Sequence, residues 1–242
     1  MSNLTMSTSE QLTEDFLKKH ACWSQINRGA GVLLIFKNGI YFLLSKPKYW
    51  ETDRNSTIIK FGGIGGSIEK NEKPIECLKR ELDEEVKISF EQIKFAYPST
   101  TLLIKDDMPI QRINMTESDI PSPIYVLELI LPLRKDRAQT GKTYSSLQLF
   151  VYLAKVKNSF TPKISENEDI TAIMHVNQNI LDRLLKGEIE VNKKETLQGI
   201  KIFWNENLSK DIPLNFKLYP RFSPIGLLKA NLHFKDLEKY FK

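Results

Sequence analysis

The sequence predicts an α/β fold, in which strands and helices share one core. Short apolar runs typical of strands alternate along the chain with amphipathic stretches typical of helices. The middle of the chain combines a hairpin signal with an amphipathic helix. The 242 residues are 41% hydrophobic and 27% charged, a globular composition that excludes a disordered or collagen-like chain.

We divide the chain into three segments. Residues 1–28 are predicted to form an N-terminal helical segment, in which Ser7 and Glu10 provide a capping box. Residues 29–185 form the predicted core domain. Residues 186–242 form a basic, aromatic-rich C-terminal extension, which we expect to pack on the core because its aromatic density is too high for a loose tail.

The core domain is expected to open with a β-hairpin. Residues 32–36 and 40–44 are apolar runs, and Asn38 and Gly39 stand between them. An Asn-Gly pair favours a tight turn because both residues tolerate a positive φ. The sequence therefore predicts that Asn38 and Gly39 form the turn.

The remaining elements follow from apolar runs and breakers. Further strands are predicted over residues 57–61, 93–97, 124–131, 147–156 and 170–176. A helix is predicted over residues 179–185, and the extension is expected to end in helices near 225–234 and 236–241. Two polar stretches, 105–123 and 132–146, exceed the usual lengths of connections and are interpreted as insertions.

The most informative segment is a helix predicted over Pro74–Val86. At about 100° per residue, four apolar side chains fall on one stripe that must face the core. These are Ile75, Leu78, Leu82 and Val86. Glu81, Glu84 and Glu85 fall on a neighbouring arc, because spacings of three and four residues return to the same side of a helix.

Three carboxylates on one helix face repel one another unless a cation lies among them. Magnesium prefers oxygen ligands, and a glycine-rich loop directly before the helix, with Gly65 and Gly66, lets backbone atoms approach such an ion closely. On the helix alone, a solvated acidic face is the better explanation of the pattern.

The longer spacing pattern extends beyond the helix. A glycine is followed after five residues by a glutamate, and after seven more by an Arg-Glu-apolar-X-Glu-Glu run. The matching positions are Gly66, Glu72, Arg80, Glu81, Leu82, Glu84, Glu85 and Ile88. This segment resembles the Nudix box of the Nudix hydrolase superfamily, with Lys87 in place of the usual glycine. A left-handed residue at that helix end would cost lysine roughly 1 kcal/mol relative to glycine.

The resemblance implies a Nudix-type α/β/α sandwich, in which a mixed β-sheet lies between helices. It also implies a pyrophosphohydrolase that acts on phosphorus-containing acid anhydrides. Its substrate would be a nucleoside diphosphate linked to another moiety, cleaved to a nucleoside monophosphate and a phosphorylated product. Magnesium, for which manganese could substitute, would be the cofactor. Glu81, Glu84 and Glu85 resemble the metal ligands, joined by the carbonyl of Gly65.

Other roles implied by the resemblance are supporting ones. Arg80 and Glu72 resemble the pair that fixes the glycine loop, including Gly66, against the helix. The general base is left open between a helix glutamate and an acid from a later loop, for which Glu166 and Glu168 are candidates. Those two residues are equally consistent with a hydrated loop.

Two other classes of function stay open. One is a non-catalytic nucleotide-sensing module of the same fold, and the other is an RNA 5′-end or cap hydrolase. Residues 191–242 hold ten Lys or Arg against five Asp or Glu, which accounts for the whole net charge of +5. This basic tail permits a nucleic-acid partner but does not require one.

The remaining signals are weaker. Cys77 and His175 are interpreted as packing residues, and Gly141-Lys142-Thr143 lacks the first glycine of a phosphate-binding loop. Two cysteines cannot form a disulfide framework, and the polar N-terminus lacks a signal-peptide core. No apolar run approaches the roughly 18 residues of a membrane span. We therefore expect a cytoplasmic protein without a membrane partner, compatible with a homodimer.

Overall fold

The computed structural model describes nine stretches of the chain. They are residues 4–6, 26–52, 56–105, 108–115, 120–132, 144–158, 160–164, 170–193 and 197–241. Within these stretches, fifteen strands join one sheet and four α-helices pack on it. None of the helices in this part of the chain is both long and apolar enough to cross a membrane.

The strands are numbered in chain order. They are β1 (Leu4–Met6), β2 (Ile26–Phe36), β3 (Gly39–Leu44), β4 (Glu51–Thr52), β5 (Thr57–Gly62), β6 (Ile64–Ser67), β7 (Ile93–Phe95), β8 (Thr100–Lys105), β9 (Gln111–Met115), β10 (Tyr125–Pro132), β11 (Tyr144–Val156), β12 (Ala172–Asn177), β13 (Ile189–Asn192), β14 (Ile200–Trp204) and β15 (Asn215–Pro220). The helices are α1 (Pro74–Val86), α2 (Gln178–Leu185), α3 (Ser223–Lys229) and α4 (Phe234–Glu238).

The sheet is mixed, as predicted. Its main path runs β1-β9-β8-β10-β11-β2-β3-β5-β15-β13. The long central pair β2 and β11 is parallel, whereas β2 and β3 form an antiparallel hairpin. Strand β6 pairs with the beginning of β2 and leads directly into the loop before α1. The glycine loop therefore lies beside the centre of the sheet.

Helices cover both faces of this sheet, which confirms the predicted α/β sandwich. Successive residues of β2 point to opposite faces, because the side-chain period of a strand is two. Val32 and Leu34 pack in one buried cluster with the apolar stripe of α1. Leu33 and Ile35 pack in the other with side chains of α2, α3 and α4.

The hairpin forms as predicted, but its turn lies one residue earlier than expected. Lys37 and Asn38 are the turn residues, and the positive φ of 51° falls on Lys37. Gly39 is the first residue of β3. A Cβ there would lie 2.4 Å from the carbonyl oxygen of Val176 and 2.7 Å from the ring of His175. Glycine is thus required for the close approach of β12 and not for the turn.

Helix α1 has the bounds that the sequence predicts. Leu78, Leu82 and Val86 are buried on the predicted stripe, and Ile75 packs against the same cluster. The helix ends at Lys87, whose φ of 54° and ψ of 47° are left-handed, and whose N–H donates to the carbonyl of Leu82. Lysine therefore adopts the conformation that glycine would favour.

We expect Lys87→Gly to raise the free energy of unfolding by about 1 kcal/mol, because glycine populates the left-handed region without a Cβ penalty. Urea denaturation followed by circular dichroism measures the change. Lys70→Gly is the matched control, since Lys70 is also exposed but has no positive φ. A Lys87→Gly variant no more stable than the Lys70→Gly variant would contradict this account.

The C-terminal extension, predicted over residues 186–242, contributes three strands that the sequence analysis did not identify. Strand β15 pairs in parallel with β5, and β13 pairs with β15. Strand β14 pairs with β12. The two predicted terminal helices are present as α3 and α4, and each begins two residues before its predicted start.

Two other predicted segments are only partly described. Of residues 1–28, the predicted helical segment, those described are the strand β1 and the first residues of β2; the capping residues Ser7 and Glu10 lie outside the described residues. The predicted insertion 105–123 contains β9, which pairs with both β1 and β8. Most of the predicted insertion 132–146 lies outside the described residues.

Candidate active site

The glycine loop is fixed by its pairing with β2. Gly65 lies opposite Gly31, and Gly66 lies opposite Ala30. The φ of Gly65 is 144°, and a Cβ on it would lie 2.2 Å from the carbonyl oxygen of Ala30. Only glycine fits this position, because both the backbone conformation and the contact distance exclude a side chain.

The same loop brings the carboxylates of α1 against the backbone. Gly65 donates its N–H to Oε2 of Glu85 at 2.8 Å. At Gly66, a Cβ would lie 2.0 Å from Oε1 of Glu81. The absence of side chains at these two positions lets both carboxylates reach the loop.

Arg80 links the helix to the loop through a network of charged hydrogen bonds. Its Nε donates to Oε1 of Glu72 at 3.0 Å, and its Nη2 donates to Oε2 of Glu72 at 3.2 Å and to the carbonyl of Ser67 at 3.1 Å. Its Nη1 donates to Oε1 of Glu81 at 2.7 Å and to Oε2 of Glu84 at 3.1 Å. We call Arg80, Glu72, Glu81 and Glu84 the arginine network.

The arginine network shifts the pKa values of its members in the expected directions. The Arg80 hydrogen bonds hold the pKa of Glu72 below its ordinary value of 4.5. The bonds to Glu72, followed by those to Glu81, raise the pKa of Arg80. Both groups are therefore charged at neutral pH, and the bidentate pair between them is of the strong, charge-assisted kind.

The stabilisation from Glu72 is expected to depend on pH. Because its folded-state pKa lies below the unfolded value, the contribution is fully present above the unfolded pKa and is lost as the pH falls through the folded pKa. Glu72→Gln should therefore lower the unfolding midpoint at pH 7, and the difference from wild type should shrink below pH about 4.5. Thermal unfolding of both proteins from pH 3 to 8 measures the difference in unfolding midpoint. A difference that does not change with pH would contradict this role of Glu72.

The donor set of the site suits a hard divalent cation. Glu81, Glu84 and Glu85 supply carboxylate oxygens, the ligands that magnesium prefers. Among the described residues, no three acidic, histidine or cysteine side chains are grouped closely enough to hold a metal ion as they stand. Arg80 donates to Glu81 and Glu84, and Gly65 donates to Glu85. A carboxylate offers about four lone-pair sites, so each can keep its present donor and bind an ion as well.

A cavity of about 180 Å³ lies under the glycine loop. Half of the residues around it are glycines, including Gly65 and Gly66. Its apolar lining residues are Ala30, Leu147, Leu149 and Phe222. No lining residue in the described part of the chain is charged, whereas Gly66 also faces Glu81. An uncharged cavity thus adjoins the charged arginine network.

Phe222 and Ser223 line this cavity. The sequence analysis counted Phe222 among the aromatic residues of the extension, for which core packing was the favoured role, and did not identify Ser223. They belong to the junction between β15 and α3, far from the predicted box in sequence. No motif marks them. Strand β15 could have been found from the alternation of polar and apolar residues at its start, in Asn-Phe-Lys-Leu. In the structure its side chains are alternately exposed and buried.

The other predicted residues are placed as follows. Cys77 is fully buried, and burial with nearby carboxylates raises the pKa of its thiol to about 12, so it is a packing residue as predicted. His175 packs on Phe36 and Tyr41, also as predicted. Glu166 and Glu168 lie outside the described residues.

No protein-family model matches the sequence, and the search among curated proteins finds no match. Solved structures show a partial similarity. A NUDIX-family hydrolase from Clostridium perfringens has a TM-score of 0.39 and 17% identity, over 65% of this chain and 85% of its own. A C. elegans Ap4A hydrolase has a TM-score of 0.39 and 16% identity, over 67% and 85%. An E. coli dihydroneopterin triphosphate pyrophosphohydrolase has a TM-score of 0.36 and 12% identity, over 63% and 81%.

Proposed function

We propose that the protein is a metal-dependent hydrolase of the Nudix type. It would cleave the diphosphate linkage of a nucleoside diphosphate joined to another group, releasing a nucleoside monophosphate. The observation that carries this proposal is a cluster of three helix carboxylates, two of which contact a glycine loop. Glu85 is bonded to Gly65, Glu81 faces Gly66, and Glu84 shares the Arg80 guanidinium with Glu81.

Repulsion among the three carboxylates favours a bound cation. Glu81, Glu84 and Glu85 carry three negative charges on one face of α1, and Arg80 supplies one positive charge to them while it also binds Glu72. One guanidinium does not by itself neutralise three carboxylates, and these lie beside a backbone loop that leaves space for a ligand. Such an arrangement favours a cation, and a cation bound there attracts phosphate oxygens.

In this proposal Glu81, Glu84 and Glu85 hold magnesium or manganese, with the carbonyl of Gly65 as a further ligand. When bound, such an ion neutralises the charge that develops on phosphate oxygens and lowers the pKa of water. Glu84 has 45% of its side chain exposed against 12% for Glu81. Glu84 is therefore the glutamate of that pair with better access to a water molecule.

The chain's other site residues position the reacting groups. Arg80 holds the loop on the helix through the carbonyl of Ser67 and through Glu72. Glu72 in turn accepts from the N–H of Glu69 at 2.8 Å, which closes the turn before the helix. This keeps the carboxylates and the loop backbone in one geometry before substrate binds, so little reorganisation is needed during the reaction.

A non-catalytic nucleotide-sensing module is the second candidate. The position of Arg80 favours it. The Nη1 group donates to both Glu81 and Glu84, so the guanidinium offsets part of the negative charge that a metal ion would otherwise neutralise. A sensor would bind a nucleotide through the uncharged cavity without a requirement for turnover. An RNA 5′-end hydrolase gains no comparable observation from the described residues.

The deciding experiment measures nucleotide release from a substrate panel with and without magnesium. The panel contains sugar nucleotides, an ADP-ribose-type compound, dinucleoside polyphosphates and nucleoside triphosphates. We expect magnesium-dependent release of a nucleoside monophosphate from at least one of them, and its loss in Glu85→Gln. Binding of panel members without any turnover would instead support the sensing module.

A further inference from the structure

The C-terminal extension forms part of the cavity under the glycine loop. Its contribution is Phe222 and Ser223, which follow β15 and begin α3. Strand β15 reaches this point because it pairs in parallel with β5, the strand that precedes the loop. The sheet itself therefore brings the extension to the candidate site.

The junction is held firmly on both sides of Phe222. The N–H of Arg221 donates to the carbonyl of Phe61 at 2.8 Å. The hydroxyl of the buried Tyr125 donates to the carbonyl of Ser223. A Cβ on Gly226 would lie 2.3 Å from the Tyr125 ring, so α3 approaches that ring as closely as a glycine allows.

Ser223 also fits between two glycines of the cavity. Its Oγ would lie 2.9 Å from a Cβ on Gly31 and 3.1 Å from a Cβ on Gly63. Those glycines thus leave room for the extension on this side of the sheet. Because Ser223 is buried, the junction packs into the lining of the cavity.

Phe222 itself has an unfavourable backbone conformation. Its φ is 58° and its ψ is −113°, a region that a residue with a Cβ rarely adopts. The Arg221 guanidinium lies over its ring, 4.1 Å from the ring centre. An aromatic residue that packs against the buried cluster around Leu149 and Leu227 is thus kept in a strained conformation, and it is one of the residues that line the cavity.

The chemistry of the lining indicates which part of a substrate fits. Glycines, two leucines and Phe222 are among the residues that line the cavity, and none of the lining residues within the described stretches is charged. The charged diphosphate belongs on the side of the arginine network. The cavity suits a neutral, planar group that stacks on an aromatic ring and hydrogen-bonds to backbone N–H and C=O groups.

We propose that Phe222 of the C-terminal extension stacks on the nucleobase of the substrate and is a specificity-determining residue. This inference rests on the proposed function for its choice of ligand. It assigns the base end of the substrate to the extension and the diphosphate end to α1. The segment outside the predicted core domain would then select base-bearing substrates.

The test is equilibrium binding of AMP by calorimetry, with ribose 5-phosphate as the ligand that lacks a base. Metal is omitted, so no turnover is required. Stacking is worth about 1–3 kcal/mol per base, which converts to a loss of roughly 5- to 150-fold in affinity. We expect Phe222→Leu to show such a loss for AMP and no change for ribose 5-phosphate.

The matched control is Tyr219→Leu, which removes an aromatic ring of β15 that is 51% exposed and does not line the cavity. It should bind AMP like wild type. Equal AMP affinity in Phe222→Leu and wild type would overturn the inference, as would wild-type AMP binding no tighter than that of ribose 5-phosphate.

A second variant keeps the test valid if Phe222→Leu does not fold. In Phe222→Trp, AMP should quench tryptophan fluorescence more than in wild type, and ribose 5-phosphate should not. AMP binding without additional quenching would overturn the inference. Because neither readout involves hydrolysis, Phe222-dependent binding of AMP without magnesium-dependent turnover of any panel member would refute the proposed hydrolase and leave the present inference standing.

Discussion

Glu84→Gln is expected to lower turnover of a nucleoside diphosphate substrate by at least about a hundredfold. The amide keeps the size of the side chain and an oxygen that can accept from Arg80 Nη1, but it removes the negative charge and an anionic ligand oxygen. Changes in residues that merely orient metal ligands cost about 10- to 100-fold, so loss of a ligand should exceed that. The measurement is kcat at saturating magnesium.

The fold should survive this substitution, because 45% of the Glu84 side chain is exposed. Asp83→Asn is the matched control: it removes a carboxylate from the same helix, at a side chain that is 75% exposed and next to Lys87. Its kcat should be unchanged. Near-native turnover in both Glu84→Gln and Glu85→Gln would rule out the proposed site.

Arg80→Lys is expected to lower kcat by about 10- to 100-fold, although it conserves charge. The guanidinium donates through Nε, Nη1 and Nη2 to four groups on the loop and the helix. The lysine ammonium is a compact donor, so it cannot make all of these hydrogen bonds at once. The carboxylates would lose their fixed positions relative to the loop, and the loss should appear in kcat.

A double-mutant cycle separates this role from a general loss of stability. Arg80 and Glu72 belong to one network, so Arg80→Lys and Glu72→Gln should be non-additive by about 0.5–3 kcal/mol in the activation free energy. Arg80→Lys with wild-type kcat would show that the arginine network does not support turnover. Additive effects would show that the two residues act separately.

The local part of this architecture was predictable because its signals are short in range. The apolar stripe of α1 fixed the buried face, and the spacing of Glu81, Glu84 and Glu85 placed them on one side of the helix. Lys87 was expected to have left-handed geometry if the helix ended there, and it does. Each of these inferences depends on residues within a few turns of one another.

The parts that were missed depend on contacts between distant segments. Gly39 was assigned to the turn because Asn-Gly favours one, but its missing side chain makes room for Val176 and His175 of β12. Phe222 reaches the cavity only because β15 pairs with β5, about 160 residues earlier in the chain. Pairing partners across such separations are not encoded in local periodicity. The alternation of polar and apolar residues in β15 is present in the sequence, but the many aromatic residues of the extension made it hard to recognise.

Binding of Mn²⁺, followed by electron paramagnetic resonance, tests the central claim most directly. The wild-type chain should bind the ion, Mg²⁺ should compete for it, and the triple variant Glu81→Gln, Glu84→Gln, Glu85→Gln should lose that binding while it remains folded. Equal Mn²⁺ binding by wild type and the triple variant would contradict the assignment of these three glutamates as the metal ligands.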